Sequence, residues 1–163
     1  MGNNWKITDT LTKVFAEEAP DGQGSIRLST LHRETVSCVI AYFGAADWGR
    51  YWKVSVKAPE KIETRLRRVE LVPSAYPCHK EQDDNYLRIV PGMYPDLLRD
   101  LDTEDDGADK KYLTKEVPGQ WRSLWLDVTV DAELAGGDYA IVIETETEDG
   151  EKETLKADLH VVD

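Results

Sequence analysis

Basic residues are scarce in this sequence relative to acidic ones. There are 20 lysines and arginines against 32 aspartates and glutamates, which gives a formal net charge of -12 at pH 7. Nucleic acids and anionic membrane surfaces both attract cationic protein surfaces. The composition therefore argues against a nucleic acid or a membrane as a partner.

Cysteines, histidines and long apolar runs are also few. Cys38 and Cys78 form no disulfide framework and lack metal-ligand spacing, so we interpret them as free thiols of a cytoplasmic protein. No stretch approaches the roughly 20 apolar residues of a membrane span, and no signal peptide is visible. His32, His79 and His160 are not spaced as metal ligands, and the adjacency of His79 to Cys78 does not make a catalytic pair. The sequence predicts no metal site and no cofactor.

Alternation of apolar and polar residues with a period of two is the dominant pattern. It predicts strands at residues 25–30, 35–43, 52–57, 66–72, 123–130, 139–145 and 155–161. Asp149 and Gly150 between the last two predict a β-hairpin. No segment keeps helical periodicity, and residues 97–101 predict at most one short turn. The fold class is therefore all-β, an antiparallel β-sandwich of the immunoglobulin-like type.

Residues 73–119 interrupt this pattern with prolines, isolated aromatics and an acidic run. We interpret them as one long irregular loop, the kind of segment that carries function on a rigid sandwich. The acidic run begins like a calcium loop at Asp102, but Leu113 stands where a bidentate glutamate is required. A solvated acidic loop is the better interpretation.

Tryptophan and tyrosine are the notable aromatic residues. Trp121 and Trp125 alternate with Leu124 and so face away from the predicted core, where a covering loop, a neighbouring domain or a sugar ring would contact them. Trp48 and Tyr51 lie at a predicted loop tip, where they either contact a ligand or close the open end of the sandwich.

Three stretches resemble a known family. They are residues 68–74 (RVELVPS), 91–98 (PGMYPDLL) and 118–128 (PGQWRSLWLDV), followed by Gly-Asp-Tyr at 137–139. Their order is similar to the N-terminal region of bacterial proteins related to glycoside hydrolase family 123, many of which carry a shared domain of unknown function.

The resemblance implies an N-terminal β-sandwich followed by a (β/α)8 barrel with β-N-acetylgalactosaminidase activity, whose catalytic Asp-Glu pair lies in the barrel. No catalytic residue therefore transfers to this chain. We interpret residues 1–163 as a single non-catalytic accessory domain of a longer protein, with the barrel of the same polypeptide as partner. Tyr94, Asp96, Trp121 and Trp125 are the predicted contacts to that barrel or to carbohydrate. The alternatives are a carbohydrate-binding module and a stand-alone hydrolase.

Overall fold

The computed structural model describes residues 4–78, 86–105 and 110–162. Within these residues the chain is all-β, with eleven strands and no helix. The strands are β1 (Trp5–Thr8), β2 (Ser25–Leu31), β3 (Thr35–Phe43), β4 (Tyr51–Lys57), β5 (Ile62–Ser74), β6 (Gly92–Asp100), β7 (Thr103–Asp105), β8 (Lys110–Lys115), β9 (Trp121–Val130), β10 (Gly137–Thr147) and β11 (Lys152–Val162).

The strands form two sheets. The five-stranded sheet has the spatial order β1-β3-β9-β5-β6, and the six-stranded sheet has the order β2-β11-β10-β4-β8-β7. Among the described strands, neighbours are antiparallel apart from β2 and β11, which run parallel. The sheets pack against each other, and the β-sandwich predicted from the sequence is confirmed.

The core lies between the sheets and follows the predicted alternation. Leu124, Leu126 and Val128 on β9 are fully buried, as are their counterparts on β10 and β11. Because successive side chains of a strand point to opposite faces, the residues between them face outwards. The hairpin between β10 and β11 is also present, and Gly150 adopts a φ of 83° in its turn.

The prediction of one irregular loop over residues 73–119 is wrong. Three strands, β6, β7 and β8, lie within it, and the short turn predicted near Leu97 is part of β6. Strand β6 lacks alternation because it is an edge strand with a register shift opposite Glu70 and Leu71. Edges and bulges accept proline, which explains Pro95 in this strand.

A further layer covers the outer face of the five-stranded sheet. The connection between β1 and β2 crosses this face and contributes Val14 and Phe15, which are both buried. It is tied to the sheet by a hydrogen bond from the backbone N–H of Trp121 to the carbonyl of Ala16, at 2.8 Å. The sequence pattern gave no indication of this layer, because it contains no regular strand.

Candidate functional site

Trp121 and Trp125 point away from the core, as the alternation predicts, and both are half-buried. They pack against a small cluster formed by Val14, Val39 and Ala41. Of the covering groups that the sequence left open, the structure shows a segment of this chain, since Val14 belongs to the connection between β1 and β2. The two rings are part of the folded layer of this chain.

A polar network surrounds the indole of Trp125. Its Nε1 donates to Oδ1 of Asp127 at 2.7 Å, and the hydroxyl of Ser37 donates to the same oxygen at 2.7 Å. Arg67 forms an ion pair with Oδ2 at 2.5 Å. Burial alone would raise the pKa of Asp127, but these three partners together hold it below its ordinary value.

The half-buried position of Trp125 sets the expected cost of its removal. We expect Trp125→Ala to lower the free energy of unfolding by roughly 2–3 kcal/mol, less than for a fully buried ring and more than for a surface residue. Denaturant melts measure the difference. Tyr76→Ala, at a ring that is 92% exposed, is the control and should change stability by no more than about 0.5 kcal/mol. Equal effects of the two changes would contradict this packing.

The lowered pKa of Asp127 predicts an effect of pH. A carboxyl whose pKa is lower in the folded state stabilises the fold above its unfolded pKa, about 3.9, and loses that contribution as the pH falls through the folded value. We therefore expect Asp127→Asn to destabilise the protein most at neutral pH, with the difference from wild type shrinking below about pH 4. Chemical melts between pH 7 and pH 3 measure it, and a difference independent of pH would contradict the ion-pair network.

Tyr94 and Asp96 lie on β6 but in different surroundings. Tyr94 packs edge-on against Phe15, with 5.8 Å between ring centroids, and its hydroxyl donates to the backbone carbonyl of Val90. The guanidinium of Arg88 lies 3.6 Å from the Phe15 centroid. Asp96 is exposed. The fold thus brings Tyr94 to the same outer layer as the two tryptophans, whereas Asp96 does not join them.

Exposed apolar side chains are concentrated on one stretch that ends in β6, and we call this the β6 surface. Its members are Tyr86, Leu87, Ile89, Val90, Met93 and Leu97, with exposed fractions from 44% to 73%. The stretch is held against the outer layer by Arg88, which pairs with Glu17 and Glu18. Sequence reasoning missed this surface, because the segment has no strand periodicity.

A cleft of about 460 Å³ opens at one end of the sandwich. We call it the end cleft; its lining residues are Tyr42, Gly49, Arg68, Glu70, Lys115, Glu116, Val117, Pro118 and Arg122. Trp48 and Tyr51 do not close this end, since they are 58% and 49% exposed. At the base of the cleft, the hydroxyl of Tyr42 lies 2.7 Å from that of Thr114, and burial raises the pKa of Tyr42 to about 12.

The described residues offer few other side chains that could form a metal site or a catalytic site. The described residues hold no group of three or more His, Cys, Asp or Glu side chains placed to bind a metal ion. They also include no helix that could span a membrane. Cys38 and Cys78 are free thiols, and burial raises the pKa of Cys38 to about 12. His160 is exposed and pairs with Asp138, whereas His79 and residues 106–109 of the acidic run lie outside the described residues.

This chain is similar in fold to part of a family 123 glycoside hydrolase from Clostridium perfringens, with a TM-score of 0.65 at 9% sequence identity. The match covers 98% of this chain and 27% of that enzyme, so the chain spans about a quarter of its length. At this identity the likeness shows a shared β-sandwich fold.

Other solved structures match less well. The N-terminal domain of PorA matches with a TM-score of 0.47 at 9% identity, over 96% of each chain. The C-terminal domain of the Streptococcus agalactiae polypeptide BspA matches with a TM-score of 0.46 at 14% identity, over 98% of this chain and 50% of that one. No protein-family model and no curated protein matches the sequence.

Proposed function

We propose that this β-sandwich is a non-catalytic accessory domain of a glycoside-hydrolase-like protein and that it packs against a (β/α)8 barrel of the same polypeptide. The fold likeness to about a quarter of a glycoside hydrolase supports this role. So do the three sequence stretches that resemble the region preceding the barrel in related proteins. The proposal assigns no catalytic residue to this chain.

The β6 surface is the observation on which the docking role rests. Folded proteins seldom leave many large apolar side chains exposed side by side, and such patches typically mark interaction sites. Met93 and Leu97 lie on the edge strand β6, and the other members of the β6 surface precede this strand in the sequence. A barrel that covers this stretch would remove their apolar surface from water, which favours association by about 25 cal/mol per Å² before the costs of binding.

Trp121 and Trp125 fit a supporting role better than sugar stacking. A sugar ring needs a free aromatic face, but both rings are half-buried and pack on the cluster around Val14. Trp121 also contacts Phe43, with 5.4 Å between ring centroids, and lies beneath the ammonium of Lys6. These contacts stabilise the outer layer of the five-stranded sheet, against which the β6 surface is held.

The docking role is tested by charge insertion into the β6 surface. We expect the variant with Met93→Glu and Leu97→Glu to bind the separately produced barrel at least about tenfold more weakly than wild type, because a glutamate in an apolar interface loses its hydration. Leu31→Glu is the matched control, since Leu31 is 49% exposed on β2 at the edge of the other sheet. Calorimetric titration measures binding, and thermal melts verify that each variant is folded.

Three results would contradict the proposal. One is barrel binding that the double variant leaves unchanged, and another is a complete reading frame that encodes no barrel. The third is hydrolysis of chromogenic N-acetylhexosaminides by the purified 163-residue chain, which would favour a stand-alone hydrolase.

A further inference from the structure

Close backbone packing holds the wall of the end cleft in place. A Cβ on Gly44 would lie 2.1 Å from the carbonyl oxygen of Val117, and one on Gly49 would lie 2.6 Å from that of Glu116. Only glycine permits such close backbone approach. Hydrogen bonds also link Gly44 to Gln120 and to Gly119. The β3–β4 and β8–β9 connections, which form the wall of the cleft, are therefore fixed to each other.

The acidic groups of the end cleft are already paired. Glu116 accepts a hydrogen bond from Arg50 at 2.8 Å, and Glu70 accepts one from Arg68 at 2.8 Å. The other two charged residues that line the cleft are the cations Arg122 and Lys115. Within the described part of the chain, Nη1 of Arg122 is buried without a hydrogen-bond partner, and neither cation is in an ion pair. Two unpaired cations in one cleft are notable in a chain with a net charge of -12.

Arg122 lines the end cleft without a counter-ion among the described residues. An anion in the cleft would supply one. The planar guanidinium group matches a carboxylate particularly well, since two N–H groups can donate to its two oxygens.

The ring of Tyr51 lies beside one cation of the same cleft. It lies below the ammonium of Lys115, 5.0 Å from ring centroid to Nζ. It is 49% exposed, unlike the half-buried Trp121 and Trp125. Exposed tryptophan and tyrosine rings offer an apolar face together with a polar edge, which suits a ligand with both kinds of surface.

We propose that the end cleft binds acidic glycans, with a sugar carboxylate at Arg122 and Lys115 and a pyranose ring against Tyr51. This site is distinct from the β6 surface and does not rest on the docking role. A carboxylate alone would pair with the two cations, and a neutral sugar alone would stack on the ring. A uronic acid residue within an oligosaccharide combines the two.

The probes are oligosaccharides of galacturonic or glucuronic acid, each compared with the neutral oligosaccharide in which a hydroxymethyl group replaces the carboxylate. We expect the acidic member of at least one pair to bind at least about tenfold more tightly than the neutral member, as expected for a charge-assisted hydrogen bond. Its affinity should fall as salt is raised from 0.05 to about 0.5 M. Calorimetry and tryptophan fluorescence measure the binding.

Arg122→Gln and Tyr51→Ala should each weaken binding of the acidic glycan about tenfold or more. Their matched controls are Arg27→Gln, at an exposed arginine on β2, and Tyr76→Ala, at an exposed ring away from the cleft, and both should bind as wild type. Lys115→Gln, at an exposed side chain, provides a second charge variant if Arg122→Gln unfolds the protein.

Four outcomes would overturn the proposal: equal affinity for acidic and neutral members, binding of neither, binding that the cleft variants leave unchanged, or equal affinity for an acidic tripeptide. Preference for the acidic glycans, lost in the cleft variants and retained in the controls, would support it.

Discussion

Replacing Trp5 with alanine is expected to lower the free energy of unfolding by about 3–5 kcal/mol, the range observed when large buried aromatics are truncated. Trp5 is 1% exposed, although it lies on the short edge strand β1. Its ring stacks on Tyr42, 4.8 Å between centroids, and meets Trp52 edge-on at 5.2 Å. The three rings join the two sheets, so the cavity left by alanine would lie between them.

Trp48→Ala is the matched control for this change, because Trp48 is 58% exposed. It should change the free energy of unfolding by no more than about 0.5 kcal/mol. Urea melts of the two variants measure the difference, with the slope of the transition used to verify that both unfold in one step. A loss below about 1 kcal/mol for Trp5→Ala would show that β1 does not contribute to the core as described.

Arg50→Ala is expected to have an effect of similar size, about 3–5 kcal/mol, because it would leave a buried carboxylate without its cation. Glu116 is 1% exposed and accepts hydrogen bonds from Arg50 and from Nε1 of Trp52, at 2.8 and 3.3 Å. The hydrogen bond with Glu116 is the largest contribution that raises the pKa of Arg50 above its ordinary value. Arg50 also pairs with Glu151.

A double variant distinguishes the cost of leaving the Glu116 charge unpaired from the cost of losing the Arg50 side chain itself. Combining Arg50→Ala with Glu116→Gln removes the unpaired charge but keeps an acceptor for Trp52, so it should be more stable than Arg50→Ala alone. Arg99→Ala is the control, since Arg99 is exposed on β6 and its closest carboxylate oxygen is 3.8 Å away. Additive losses in the double variant would contradict the role of Glu116 as a buried charge partner.

Strands with regular alternation could be predicted from the sequence, whereas β1, β6, β7 and β8, which lack it, could not. Strand β9 alternates fully, because every second residue from Leu124 to Val130 packs in the core. Strand β6 shows no such alternation, since a single-sided edge strand accepts Pro95 and a register shift. Strand β8 contains three lysines, and only Tyr112 and Thr114 are buried.

The outward direction of Trp121 and Trp125 could likewise be predicted, but the groups that meet them could not. Their cover includes Val14, which is more than 100 residues away in the chain and belongs to a segment without periodicity. The buried position of Glu116 was hidden for a similar reason, because its partner Arg50 lies 66 positions away. Pairings of this kind depend on which sheet edges and connections meet in the fold, and a local pattern does not record them.

Hydrogen exchange at the amides of β6 tests the docking role most directly. This edge strand is paired with β5 on one side only, so its outward-facing amides exchange with solvent in the isolated chain. The measurement compares the 163-residue chain with the polypeptide encoded by the complete reading frame. If the barrel packs on the β6 surface, amides of Gly92–Asp100 exchange at least about tenfold more slowly in the complete polypeptide, while those of Ser25–Leu31, an edge strand of the other sheet, are unchanged. Equal exchange of Gly92–Asp100 in both would contradict the account.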